Sequence, residues 1–152
     1  VMVEVPSVAV RAHEVLAVVD FVSIGTNDLA QYTMATDRLR GELADLLDPF
    51  QPAVMDLVAM TARAGKALGK PVGVCGESAG DPVMALVLTG LGITSLSMST
   101  GSLAAARFAI RQHTLAQCEA IAEAALAAKS APEARAAAIE LMVPAAREAL
   151  GY

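Results

Sequence analysis

The chain has 152 residues, 55 % of them hydrophobic, a net charge of −5 and two cysteines. That length suffices for one domain with a real core. No stretch reaches the ~18–20 uncharged apolar residues of a membrane span, and the acidic balance lacks the clustered Lys and Arg that a nucleic-acid partner requires.

In chain order, residues 1–5 read as a strand, and Pro6-Ser7 turns into a helix over roughly 8–19. Its apolar positions Val8, Ala12, Val15, Leu16 and Val19 recur at helical spacing. Asp20 to Ile24 is the second strand. Residues 25–41 read as a long polar loop carrying Asn27, Asp28, Gln31, Asp37 and Arg38, followed by a short helical turn at Leu43–Leu47. The next helix begins near Pro52, a good first-turn residue, and runs to Leu68, where Gly69 stops it.

Pro71 to Cys75 is the third strand. Asp81-Pro82 supplies an N-cap and first-turn proline for a helix ending at Gly90. Thr94 to Met98 is the fourth strand, and a helix follows over 103–112. Residues 114–128 and 132–149 read as two Ala/Glu/Arg helices that pack on the outside. Four strands alternating with helices are the signature of a parallel sheet. Four βα units are half the usual eight of a barrel of ~250 residues. The fold class is thus α/β, either a small open sheet or the back half of a barrel.

Chemistry collects where strands end. Glu4 lies at the end of the first strand, Gly25-Thr26-Asn27-Asp28 follows the second, and Cys75-Gly76-Glu77 closes the third. Polar groups at the C-terminal ends of successive buried strands are the one-dimensional mark of an α/β active site. Each residue also has a plain structural reading. Asn27 and Asp28 suit a turn, Cys75 could be a small buried hydrophobe, and Glu77 is a hydrogen-bond partner rather than a ligand. Asp81 is a helix cap. Arg40 and the basic residues at 107, 111, 129, 135 and 147 read as solvated surface. Met55, Met60, Met84 and Met98 read as core.

Four ordered segments, MVEVPS, FVSIGTNDLAQYT with Asp37-Arg38, GVCGESAGDP and GLGITSLSMS, together resemble the C-terminal half of the phosphoenolpyruvate-binding barrel of the PEP-utilising enzymes. The branch most resembled is enzyme I of the bacterial sugar phosphotransferase system. The resemblance covers residues 1 to about 112 and implies half of a (β/α)8 TIM barrel with four parallel strands. Residues 113–152 are then a helical extension of the same domain.

The resemblance further implies a PEP–protein phosphotransferase that moves the phosphoryl group of PEP to a protein histidine, releases pyruvate and serves a phosphocarrier protein for sugar uptake. Glu4 and Asp28 match the family's magnesium ligands, and Asn27, Asp28 and Arg38 its substrate-binding residues. Cys75 matches the acid that protonates the pyruvate enolate. The acceptor histidine and further phosphate-binding arginines lie on segments this chain lacks, and neither His13 nor His113 matches the acceptor. The chain alone is therefore expected to be inactive.

Two other readings remain. One is a Mg²⁺-dependent pyruvate-forming aldolase or lyase, or a pyruvate phosphate dikinase or PEP synthase relative, on the same barrel. The other is a non-catalytic dimerisation half-barrel, since open sheet edges favour self-association. Cys75 and Cys118 show no paired metal spacing and fit free thiols in a reducing cytoplasm. No signal peptide is evident at the N-terminus. A start at Val1, within a strand, suggests a longer parent chain.

Overall fold

A computed structural model describes all residues from Val1 to Tyr152. Four short strands, β1 (Met2–Val3), β2 (Val22–Gly25), β3 (Val72–Cys75) and β4 (Ser95–Ser97), form one sheet in the order β1-β2-β3-β4. Every neighbouring pair is parallel. The order never reverses, so the sheet has no switch point of the kind a doubly wound fold requires. Val3, Val22, Ile24, Val72 and Val74 are fully buried, as expected of parallel strands covered by crossover helices. Ser95 and Ser97 on the β4 edge are exposed.

The first crossover contains two helices, α1 (Pro6–Val10) and α2 (Ala12–Val18), instead of a single one over 8–19. Pro6 starts α1 earlier than expected because it suits a first helical turn. Arg11, at φ −103° and ψ 23°, breaks the run. Ala9, Ala12 and Leu16 still face the core.

The expected loop at 25–41 is helical in its first part, α3 (Thr26–Thr33). Thr, Asn and Asp look like turn residues, but they occupy a first helical turn, where an acidic group is favoured by the helix dipole. Leu29 and Ala30 supply the buried face that stabilises it. The connection continues through a 3-10 segment, Gly41–Leu47, to α4 (Pro52–Leu68), where Gly69 adopts the left-handed conformation at φ 63°. Val54, Leu57, Val58 and Thr61 form the buried stripe of α4, whereas Met60 is exposed rather than core.

After β3 come α5 (Glu77–Gly80) and α6 (Pro82–Gly90), and after β4 comes α7 (Leu103–Arg111). Asp81 caps α6 by accepting from the backbone N–H groups of Val83 (2.8 Å) and Met84 (2.9 Å). Residues 83–88 of α6 are all buried, because α6 packs against α7 and α8 (Leu115–Ala127) and shares one hydrophobic cluster with the strands. Thr114 and Gln117 form a reciprocal capping box at the start of α8. Cys118, Ile121, Ala122 and Ala125 then join the same hydrophobic cluster as the strands.

The expected helix over 132–149 is divided into α9 (Ala131–Glu140) and α10 (Pro144–Ala149). Pro144 lacks an N–H and cannot continue a helix, so it starts a new one. His113 fastens the turn between them, with Nδ1 2.8 Å from the Ala109 carbonyl and Nε2 accepting from the Val143 N–H at 2.9 Å.

Arg135 is not the solvated residue its surroundings in sequence suggested. It pairs with Asp81 at 2.6 Å and lies 4.6 Å above the ring of fully buried Phe50. A guanidinium can satisfy a carboxylate and an aromatic face together, which is why arginine is accepted there. Both cysteines are free thiols. No helix is long and apolar enough to cross a membrane.

Candidate active site

The strand register sets up one row of residues across the sheet. Val3 pairs with Ile24, so Glu4, the next residue, stands level with Gly25. Gly25 pairs with Cys75, and Cys75 with Ser97. In-register neighbours in a parallel sheet project to the same face. Gly25, which has no side chain, therefore leaves a gap between Glu4 and Cys75. The Glu4 carboxylate lies over that gap: a Cβ added to Gly25 would be 2.7 Å from Glu4 Oε1. The backbones of Glu4 and Cys75 are two interstrand spacings apart, about 10 Å.

Asn27 and Asp28 rise from the first turn of α3, directly beyond Gly25. Asp28 is paired with Arg38 at 3.6 Å, and both side chains are substantially exposed. Such a long, solvated pair is weak and leaves carboxylate oxygens and guanidinium N–H groups free for another ligand. The segment that carries Arg38 is held by local bonds, with Leu39 N–H donating to Asp37 and Arg38 N–H to Gln31. Arg40 instead meets Glu42 at the surface, in keeping with its plain reading.

Cys75 is the last residue of β3 and half-buried, with its Sγ 3.5 Å from the Ile24 carbonyl. That contact is one an S–H can make as a weak donor. Gly76, at φ 101°, then turns the chain into α5. Asn27 Nδ2 donates to Glu77 Oε2. This bond, followed by a backbone N–H, holds the Glu77 carboxyl below its ordinary value against the opposing effect of burial, and the positive charge of Arg38 adds a lesser contribution.

Two residues outside the expected set complete the frame. Thr26 Oγ1 and Ser78 Oγ are 2.5 Å apart, both residues are buried, and Thr26 also donates to the Cys75 carbonyl at 3.3 Å. They join the start of α3 to the start of α5. Once residues 26–28 are seen as a helical turn, a buried hydroxyl at its first position is the cue; reading the segment as loop hid it.

No group of three or more His, Cys, Asp or Glu side chains is gathered as a metal cage. Glu4 and Asp28 offer two carboxylates from adjacent strand ends. An all-oxygen, incomplete set of this kind suits Mg²⁺, which keeps several waters and fills its shell with substrate oxygens. In donor chemistry these two carboxylates are compatible with that ion. Cys118 is buried in the first turn of α8 as part of the hydrophobic core, away from the strand ends, and its thiol is pushed up by burial and the neighbouring Glu119 charge. His13 is exposed on α2.

The family model for the PEP-binding domain of PEP-utilising enzymes matches residues 1–115, and the chain belongs to that family. It is 61 % identical over 137 residues to the phosphoenolpyruvate-protein phosphotransferase of Streptomyces coelicolor, an alignment covering 90 % of this chain and 25 % of that protein. It is 44 % identical to the multiphosphoryl transfer protein of Rhodobacter capsulatus, over 89 % of this chain and 16 % of that one. The phosphoenolpyruvate-protein phosphotransferase of Bacillus subtilis is 42 % identical over 87 % of the chain and 23 % of its own length. The chain therefore spans a quarter or less of these curated relatives.

Proposed function

We propose that these residues form the C-terminal half of a PEP-binding (β/α)8 barrel within a PEP–protein phosphotransferase, with residues 113–152 as a helical extension of the same domain. The observation that carries this reading is the row Glu4–Gly25–Cys75, in which the Glu4 carboxylate lies over the side-chain-free Gly25 and the Cys75 thiol stands on the next strand. The strand order, which adds each strand on the same side, supports a barrel sector.

In this reading Glu4 and Asp28 would hold Mg²⁺ on the substrate. The ion would supply Lewis acidity and neutralise charge on the trianion. Asn27 and Arg38 bind the phosphoryl oxygens, Asn27 through amide N–H groups and Arg38 through its guanidinium fork. The phosphorus–oxygen bond to the enol breaks as the phosphoryl group passes to a histidine elsewhere in the full-length protein. The bridging electron pair stays with the enolate, whose terminal carbon takes the proton of the Cys75 S–H. Pyruvate is released, and the thiolate regains a proton from solvent.

The partners are PEP, pyruvate and a phosphocarrier protein, and the compartment is the cytoplasm. Two open sheet edges and exposed Leu103, Phe108 and Leu115 favour self-association of the isolated chain. A stable monomer by light scattering at tens of micromolar (a range chosen to register weak pairing) contradicts that part.

The decisive experiment uses the full-length phosphotransferase. Glu4→Ala and Asp28→Ala are expected to abolish Mg²⁺-dependent use of PEP. Cys75→Ala is expected to retain PEP binding while pyruvate formation falls. Full pyruvate formation by the Cys75→Ala protein removes the acid assignment, and full activity of either carboxylate variant removes the metal assignment.

A further inference from the structure

We propose that Glu77 is a positioning residue: it fixes the Asn27 amide with nitrogen, rather than oxygen, available to the phosphoryl group. This inference rests on the reading of Asn27 given above. Asn27 Nδ2 donates to Glu77 Oε2. An ionised carboxylate only accepts hydrogen bonds, so of the two amide orientations it stabilises the one that turns Nδ2 towards it. The opposite orientation would set two acceptor oxygens against each other. An amide nitrogen carries two N–H groups, so one bond to Glu77 leaves the second for an anion.

The surroundings are shaped for that orientation. Asn27 Oδ1 lies on the side of Gly76, where an added Cβ would sit 3.4 Å away, and Gly76 holds φ 101°. The amide oxygen therefore lies beside Gly76, with no side chain between them.

A purely structural role for Glu77 fits less well. The junction between α3 and α5 is already made by the adjacent buried pair Thr26–Ser78. Glu77 itself is exposed and could leave without opening a cavity. A carboxylate near the site of a trianion is electrostatically unfavourable unless its acceptor character is used. A neutral side chain would tie the helices together without that repulsion.

The test is a double-mutant cycle in the full-length phosphotransferase, comparing wild type, Asn27→Ala, Glu77→Gln and the double variant. KM for PEP, kcat for pyruvate release and Tm are measured for each. Glutamine can donate as well as accept, so Glu77→Gln no longer selects one orientation. We expect KM for PEP to rise roughly tenfold in Glu77→Gln, the scale of one lost hydrogen bond, with Tm lowered only slightly because the bond is exposed. In the Asn27→Ala background the same change should add less than about twofold, since a residue acting through Asn27 has nothing left to act on. Glu77→Ala should repeat this pattern.

Independent multiplication of the two effects overturns the inference alone, as does a Glu77→Gln enzyme with wild-type KM and kcat. An Asn27→Ala enzyme with unchanged KM and kcat overturns the reading of Asn27 itself and this inference with it.

Discussion

Two glycines are excluded from carrying a side chain for opposite reasons. At Gly25, on the edge where the strands end, an added Cβ meets the far end of the Glu4 side chain. At Gly90, at the end of α6, it would fall within the contact radius of the Cys118 backbone carbonyl in α8. A flexible side chain can move aside, whereas two helices packed backbone to backbone cannot. The sheet edge is held by adjustable contacts, as its 3.6 Å Asp28–Arg38 pair also illustrates. The α6–α8 layer has no such slack at Gly90. Stability and chemistry are thereby assigned to different faces, and substitutions should separate them.

Gly90→Ala should have the largest effect. Overpacking against backbone costs about 3 kcal/mol or more, read as a lowered midpoint in urea, while activity per folded molecule is retained. A Gly90→Ala protein of wild-type stability would mean that α6 and α8 slide apart freely, and the contrast fails.

Gly25→Ala should reverse the pattern. Gly25 adopts φ −90° and ψ 89°, which alanine tolerates, so only the clash with Glu4 matters. Displacing Glu4 should cost less than about 1 kcal/mol of stability and yet weaken Mg²⁺ dependence of PEP use by about 10- to 100-fold, the scale of disturbing a metal ligand. Magnesium titration of the full-length enzyme measures this. An unaltered titration removes Glu4 from the metal site.

Arg135→Met probes the link between the two faces. Asp81 uses Oδ1 to cap α6 and Oδ2 to hold Arg135, so the α9 contact can be cut while the cap survives. Losing a half-buried ion pair and the contact with Phe50 should cost about 1–2 kcal/mol, seen by denaturation, with KM for PEP unchanged. A raised KM would show that the C-terminal helices reach the site through α6.

Legibility in the sequence followed the strength of local signals. The apolar strands at 20–24 and 71–75, the α4 stripe closed by Gly69 and the Asp81 cap were all readable, because each depends on residues adjacent in sequence. Residues 26–33 read as loop in the sequence because Thr, Asn and Asp favour turns and first helical turns alike; the burial of Leu29 and Ala30 that decides between these is apparent only in three dimensions. Arg135 looked solvated because its partners, Asp81 and Phe50, lie more than fifty residues away. Likewise the strand-end residues could be picked out one by one, but their alignment into the row Glu4–Gly25–Cys75 depends on register, which no short segment encodes.

The smallest expected effect concerns Glu77 and pH. Its carboxyl is held below the ordinary value of 4.5, chiefly by the hydrogen bond from Asn27. A carboxyl depressed in the folded state adds stability that is fully present above its unfolded pKa and lost as pH falls through the folded one. The stability difference between wild type and Glu77→Gln should therefore be constant above about pH 5.5, roughly one unit over that ordinary value, and shrink towards zero as the solution is acidified. Because Glu77 is exposed and solvent screens the bond, the whole difference should stay under about 1 kcal/mol. Urea midpoints of both proteins across this range give the comparison. A difference that instead grows on acidification would mean that the protonated carboxyl holds Asn27 better than the ionised one, and the acceptor role assigned to Glu77 would be lost.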